Sequence, residues 1–267
     1  MQGIVIGIDP VLLRLGAFEL RWYGLMVGLA IVAAAWLFSR QATRRGFTSD
    51  DVPSLVLWAV LGGVIGSRLF HIVDRLDFYL SHPEAMISLQ QGGLAIWGGV
   101  AGGALAVILY GWRRRFSLSL IADMVAPAVL VGQIIGRLGC IINGDAFGGP
   151  TSLPWGFIYT HANALLPDSL RGVPTHPYPV YEMIWNLGVL GILLLVRNRL
   201  PAQGLVFATY VGLYSVGRFL LTYVRQEELV LWGLQQAQLV ALMGLIIAAL
   251  YAAYLLRRAP APIRAAR

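Results

Sequence analysis

The chain has 267 residues, of which 58% are hydrophobic and only 12% charged, far from the roughly one quarter of charged residues usual in soluble domains. Mean hydropathy is +0.70 and apolar windows recur along the whole length, which excludes a water-soluble enzyme in favour of a polytopic membrane protein. All 20 basic residues are arginine and the net charge is +7; basic cytoplasmic loops account for that sum, so no nucleic-acid partner is expected.

The N-terminal stretch MQGIVIGIDPVLLRLGAFELRWYG lacks a basic n-region and is broken by Asp9 and Pro10, so it reads as a retained segment and not as a cleaved signal peptide. Crossing a bilayer core of about 30 Å takes about 20 apolar residues. Seven windows qualify: Trp22 to Phe38, Ser54 to Val73, Gly92 to Trp112, Leu120 to Ile142, Pro179 to Val196, Gly204 to Leu221, and Ala237 to Leu256. The expected fold is an all-α, seven-helix membrane bundle, with residues 1–267 forming one domain. Between the fourth and fifth windows, residues 143–178 are too polar and too rich in glycine and proline to span, and should form a small outer head.

Orientation follows from loop arginines. Twelve (Arg40, Arg44, Arg45, Arg113, Arg114, Arg115, Arg197, Arg199, Arg257, Arg258, Arg264 and Arg267) fall on one side, expected to be cytoplasmic. The other eight lie on the outer side or in the outer ends of spans, placing the N-terminus outside and the C-terminus inside. Tyr23, Arg68, His71, Trp97, Arg137, Tyr181, Glu182 and Arg218 all fall toward that outer side, although the helices alternate in direction. Ionisable groups in lipid are costly and usually mark function, so a site opening outward is expected.

Tyr214, Arg218, Thr222 and Arg225 stand at i, i+4, i+8 and i+11, one face of a helix. Arginines near a helix end can simply snorkel to headgroups. With Arg137 on another span, however, three guanidiniums repel one another unless an anion lies between them, and a phosphate matches the arginine fork. Gly62, Gly66, Gly98, Gly99, Gly102 and Gly103 form GxxxG patterns that read as close helix packing. Cys140, the single cysteine, excludes an intrachain disulfide; with no histidine near it in sequence, it reads as a small buried side chain and not as a nucleophile. Of the four histidines, His82 and His161 read as outer-loop surface residues, His176 in HPYPVYE as structural, and His71 as the one placed to reach the site. No HExxH, GxSxG, Walker or CxxC pattern occurs, which disfavours zincin proteases, serine hydrolases and NTPases.

The segments IDPVLLRLGAFELRWYGLM, GSRLFHIVDRLDFYLSHPEAM leading to GGLAIWGG, GRLGCIINGDAFGG, HPYPVYE and YSVGRFLLTYVR, in that order over nearly the whole chain, resemble the prolipoprotein diacylglyceryl transferase family. The resemblance implies an enzyme of the bacterial inner membrane that moves the diacylglyceryl group of phosphatidylglycerol to the lipobox cysteine thiol of a prolipoprotein signal peptide, releasing glycerol 1-phosphate. It implies no metal or cofactor. By the same resemblance Arg137 binds the lipid headgroup and Arg218 acts as a catalytic cation beside the phosphate, while Tyr23, Asn143, Gly148, Tyr214 and Arg225 shape the site. Trp97 stands where many members carry a histidine proposed as base, so either the base lies elsewhere, with His71 or Asp145 as candidates, or none is needed. Cys140, Asp145 and Thr222 replace an asparagine and two glutamates common in the family, which implies that Arg218 and Arg225 lose a carboxylate partner and that the site is more cationic. Apart from the resemblance, converging arginines also suit an anionic-solute transporter, but no internal repeat is evident. A structural subunit leaves the alignment of arginines unexplained.

Overall fold

A computed structural model describes residues 3–16, 18–87, 93, 95–225 and 229–258. Strands β1 (Ile4–Ile6), β2 (Val11–Leu15) and β3 (Phe18–Arg21) precede helices α1 (Trp22–Thr43), α2 (Asp51–Asp74), the short α3 (Leu76–Ser81), α4 (Ile96–Arg113) and α5 (Leu118–Asn143). After α5 come β4 (Phe157–Tyr159), α6 (Tyr178–Val196), α7 (Leu205–Thr222), the hairpin β5 (Leu229–Leu231) and β6 (Leu234–Gln235), and α8 (Gln236–Arg258). Among the described residues, α1, α2, α5, α6, α7 and α8 are long and apolar enough to cross a membrane. The third window expected from sequence becomes α4, 18 residues long and not among those six. The backbone groups into two compact units, Met1–Leu37 with Ala122–Arg267, and Phe38–Ile121.

In the first unit, Ala126 and Leu130 of α5, Val189 and Leu193 of α6, and Val206 and Tyr210 of α7 make one buried layer. Each pair is one helical turn apart, so a single face of each helix supplies the layer. The N-terminus of α7 is capped from α5: Asp123 Oδ2 accepts from the Gly204 N–H at 2.7 Å and Oδ1 from the Phe207 N–H at 2.9 Å. Backbone donors that a first helical turn leaves unpaired are thereby satisfied inside the bundle.

The head between α5 and α6 has its own core of Phe157, Tyr159, Ala164 and Leu166, with Ile6, Phe147 and Val180 packed against it. Its strand β4 pairs in parallel with β1 at the far N-terminus, Ile4 opposite Phe157 and Ile6 opposite Tyr159. Asp9 secures that junction by accepting from Asn163 Nδ2 and from the Val11 N–H, both at 2.9 Å; the Asn163 bond leads in holding its carboxyl below the ordinary aspartate range.

The second unit is organised by the glycines of α2 and α4. A Cβ on Gly66 would fall 2.8 Å from the Gly102 Cα and closer still to the Gly98 carbonyl, and one on Gly102 would overlap the Gly62 carbonyl. The two backbones touch, as the GxxxG spacing predicts. Arg68, buried on α2, donates from Nε to the Met86 carbonyl at 2.8 Å, from Nη1 to the Gly93 carbonyl at 3.0 Å, and from Nη2 to the Ala85 carbonyl. At the other end of α2, the buried Asp51 accepts from Thr48 Oγ1 at 2.7 Å and pairs with Arg114 Nη2 at 2.9 Å.

Candidate active site

The end of α5, the start of α6, the end of α7 and the turn after it bring four charged side chains around one tyrosine. Prolines flank the start of α6: Pro177 precedes it and Pro179 occupies its first turn, where fixed φ suits a helix start and no backbone donor is lost. Tyr178 and Glu182, four residues apart, therefore leave α6 on the same face. Arg137 Nη2 lies 2.7 Å from both carboxylate oxygens of Glu182, and Arg218 Nη1, from α7, lies 3.5 Å from Glu182 Oε2. The side chains of Arg137 and Glu182 are 21% and 4% exposed, a setting in which an unpaired carboxylate would be costly.

Tyr178 is fully buried. The guanidinium carbons of Arg137, Arg218 and Arg225 lie 5.9, 5.7 and 5.1 Å from its ring centroid, within the range of cation–π attraction, and its hydroxyl accepts from Arg218 Nη1. Three guanidiniums thus meet at one tyrosine, with the Glu182 carboxylate between two of them. The arrangement is suited to an anion carrying more than one charge, and it is preorganised, because every arginine is already held by the protein.

The other residues expected from sequence fall into place individually. Arg137 Nη1 also donates to Cys140 Sγ at 3.6 Å; the buried cysteine therefore does more than fill space, since its sulfur touches the arginine. Tyr23, at the start of α1, packs on α5, where a Cβ on Gly139 would lie 3.1 Å from the Tyr23 Cα. Asn143 is buried and its Oδ1 accepts from Arg21 Nη1 at 3.5 Å. Asp145 follows it in the turn: burial pushes its carboxyl above the ordinary range, opposed by hydrogen bonds from its own backbone, Asn143 and Cys140 and by the charge of Arg137.

Gly148 has a packing reason to be glycine. Its N–H donates to the His176 carbonyl at 3.0 Å and that of Gly149 to the Val224 carbonyl at 2.9 Å, joining the starts and ends of α6 and α7. A Cβ at Gly148 would lie 2.7 Å from the His176 Cβ.

Tyr214 stands 6.0 Å ring to ring from Tyr210, within electrostatic range of Glu182, Arg218 and Arg137. Helix α7 ends at Thr222, whose hydroxyl donates back to the Arg218 carbonyl at 2.5 Å. Arg225 thus lies in the turn beyond the helix, not on its face, yet it reaches the same tyrosine. Trp97 and His71 belong to the second unit. Trp97 opens α4 and is exposed; His71 sits edge-on to Tyr79 at 5.9 Å and close to the backbone of Gly93.

Of the two central residues, Tyr178 was not picked out from sequence, and Glu182 was placed toward the outer side without a role in the site. Tyr178 and Glu182 sit in HPYPVYE, and the usable signal was a lone carboxylate one turn into an apolar helix. Glu182 also corrects the expectation that Arg218 has lost its carboxylate: the partner comes from α6.

The family model described as "Prolipoprotein diacylglyceryl transferase" matches residues 10–254. Curated relatives named phosphatidylglycerol--prolipoprotein diacylglyceryl transferase include those of Acaryochloris marina, 36% identical over 93% of this chain and 92% of the relative, and Geobacter sulfurreducens, 38% identical over 83% and 84%. That of Lysinibacillus sphaericus is 34% identical over 92% of both. With a match of this extent to the family and to relatives of nearly equal length, the chain belongs to the prolipoprotein diacylglyceryl transferase family.

Proposed function

We propose that this protein transfers the diacylglyceryl group of phosphatidylglycerol to the lipobox cysteine thiol of a prolipoprotein and releases glycerol 1-phosphate. The observation that carries this reading is the convergence of Arg137 and Arg218, from different spans, on one carboxylate and one tyrosine. In the reaction, the thiol sulfur forms a bond to the glycerol carbon of the lipid, the bond from that carbon to the phosphate oxygen breaks, and the thiol proton passes to an acceptor. Charge grows on the departing phosphate monoester. Arginines fixed in advance stabilise that charge without having to reorganise, which is where catalytic electrostatics acts most strongly.

Arg137 binds the headgroup phosphate and Arg218 meets the developing charge, with Arg225, Tyr214, Tyr23, Asn143 and Gly148 shaping the site. The same positive charge favours the thiolate form of the incoming cysteine. Asp145 and His71 are the proton acceptors to consider, whereas Trp97 cannot take a proton. Glu182 offsets part of the guanidinium charge before the lipid phosphate arrives.

The whole chain acts as a single multi-pass domain of the bacterial inner membrane, with α4 as its seventh span. The pairing of β1 with β4 supports that count. Both strands must lie on the same side of the membrane, so the chain crosses an even number of times between them. Helices α1, α2 and α5 supply three crossings, and α4 makes the fourth. Loop arginines support a reading with this shared side outside and the C-terminus in the cytoplasm.

Purified protein mixed with phosphatidylglycerol and a lipobox peptide tests the reading by mass spectrometry. A peptide heavier by one diacylglyceryl group is expected. Uptake of an anionic solute into proteoliposomes with no modified peptide would instead identify a transporter.

A further inference from the structure

The turn between α4 and α5, within the second unit, carries two arginines that the proposed reaction leaves unused. Helix α4 closes with the Arg114 N–H donating to the Tyr110 carbonyl at 2.9 Å and the Phe116 N–H to the Gly111 carbonyl at 2.8 Å. Such a closure needs one left-handed residue, a place usually filled by glycine or asparagine. Here it is Arg115, with φ +58°. A long side chain in that conformation is strained, and strain of this kind persists mainly where the side chain has a use.

Beside the turn is an open recess of about 450 Å³ lined by Trp112, Arg113, Arg115, Phe116 and Leu118. Phe116 makes a fixed wall, its ring 4.7 Å from Phe47 and 6.4 Å from Tyr110. Arg114 is committed to Asp51, whereas Arg113 and Arg115 have no ion pair or side-chain hydrogen bond among the described residues. Leu118 begins α5, whose N-terminal peptide dipoles favour an anion. Leading away from the recess, Leu105, Leu109 and Trp112 stand exposed at i, i+4 and i+7 along α4, with Trp112 75% exposed.

We propose that this turn binds an anionic phospholipid of the adjacent leaflet, with Arg113 and Arg115 on its phosphate, Trp112 at the headgroup boundary and an acyl chain along Leu105 and Leu109. The position fixes the class of ligand: the recess adjoins the first residues of a membrane-spanning helix, at headgroup depth. Two guanidiniums select a phosphate that carries net charge over a zwitterionic headgroup. Topology alone accounts for arginines in this loop, but not for one at a left-handed position that glycine fills without strain.

The test uses the full chain in detergent, titrated with phosphatidic acid or with phosphatidylcholine, and reads retained lipid by native mass spectrometry alongside the melting temperature. Wild type should retain more phosphatidic acid than phosphatidylcholine. Arg115→Gly should lose about fivefold in phosphatidic acid affinity, the effect of one cation near a membrane surface, while melting higher in phosphatidylcholine because the strain is gone. Arg115→Lys should keep the binding, and Arg113→Gln should weaken it without raising the melting temperature. Since Arg137 and Arg218 are intact in all three variants, these differences report on the turn and not on the proposed active site. Unchanged lipid retention in both Arg115→Gly and Arg113→Gln overturns the proposal. So does displacement of the lipid by excess inorganic phosphate, which would mark a site for a free anion.

Discussion

Arg137 on α5 and Glu182 on α6 are joined by contacts of 2.7 Å to both carboxylate oxygens, and Arg218 on α7 approaches the same carboxylate at 3.5 Å. A negative charge is thus built into the centre of a site whose proposed ligand is itself an anion. The carboxylate holds two like charges together, and in the proposed complex the lipid phosphate would share them.

Glu182→Gln tests that role. Removing one partner of a buried ion pair typically costs about 3 kcal/mol or more, because the remaining charge is left uncompensated. The variant is expected to melt well below wild type in phosphatidylcholine micelles, and phosphatidylglycerol should recover more of the loss than phosphatidylcholine does. Equal melting of variant and wild type in both lipids would show that Glu182 does not neutralise the arginines.

Arg137→Ala is expected to abolish transfer to a lipobox peptide. Arg137→Lys keeps the charge but loses the planar guanidinium, whose Nη2 meets Glu182 while Nη1 reaches Cys140, so it should fall by roughly 10²–10³ in turnover, the scale for losing one preorganised donor. Near-normal turnover of the alanine variant would remove Arg137 from the mechanism.

The pH dependence of Asp145 has a definite sign. Burial raises its carboxyl pKa in the folded protein, so its contribution to stability is complete below the unfolded value, near 3.8, and is lost as pH rises through the folded one. Asp145→Asn should therefore melt at the same temperature as wild type or higher at neutral pH, and show a flatter dependence above pH 4. If Asp145 is also the proton acceptor, turnover climbs as it ionises, and Asp145→Asn lacks that acid limb. Where the limb survives in Asp145→Asn but not in His71→Gln, the acceptor is His71.

Gly148→Ala places a methyl 2.7 Å from the His176 Cβ and 3.1 Å from its carbonyl. Overpacking at such a site costs about 1–3 kcal/mol. The loss should appear as a lower melting temperature and as faster amide exchange at Gly148, Gly149 and His176, whose backbones are linked there. Unchanged exchange would mean that the head accommodates the methyl without moving.

Much of the architecture was legible because lipid enforces a simple rule of length and apolarity. Each of the seven windows read from sequence holds a helix, six of them long and apolar enough to cross a membrane, with Gly92 at the start of the third outside the described residues and ends shifted by a few residues elsewhere, as at α1, which runs on to Thr43. The α2–α4 contact was legible from glycine spacing alone. Arg218 and Tyr214 could be placed on one face by periodicity, but Arg225 could not, since α7 stops at Thr222 and the next turn changes direction. Tyr178 was missed, and Glu182 was noted without its pairing to the arginines, because their roles arise only where α5, α6 and α7 meet, and local spacing carries no record of that encounter. The parallel pairing of β1 with β4 was hidden for the same reason: three residues at the N-terminus find three residues lying beyond several helices.

That pairing also sets an order of assembly. Strand β1 is made before β4, so the edge that β4 covers waits until β4 has been synthesised. The head is therefore finished late, by capture of a waiting strand, and a bulky tag fused ahead of Ile4 should slow maturation of the enzyme more than the same tag fused after Arg258.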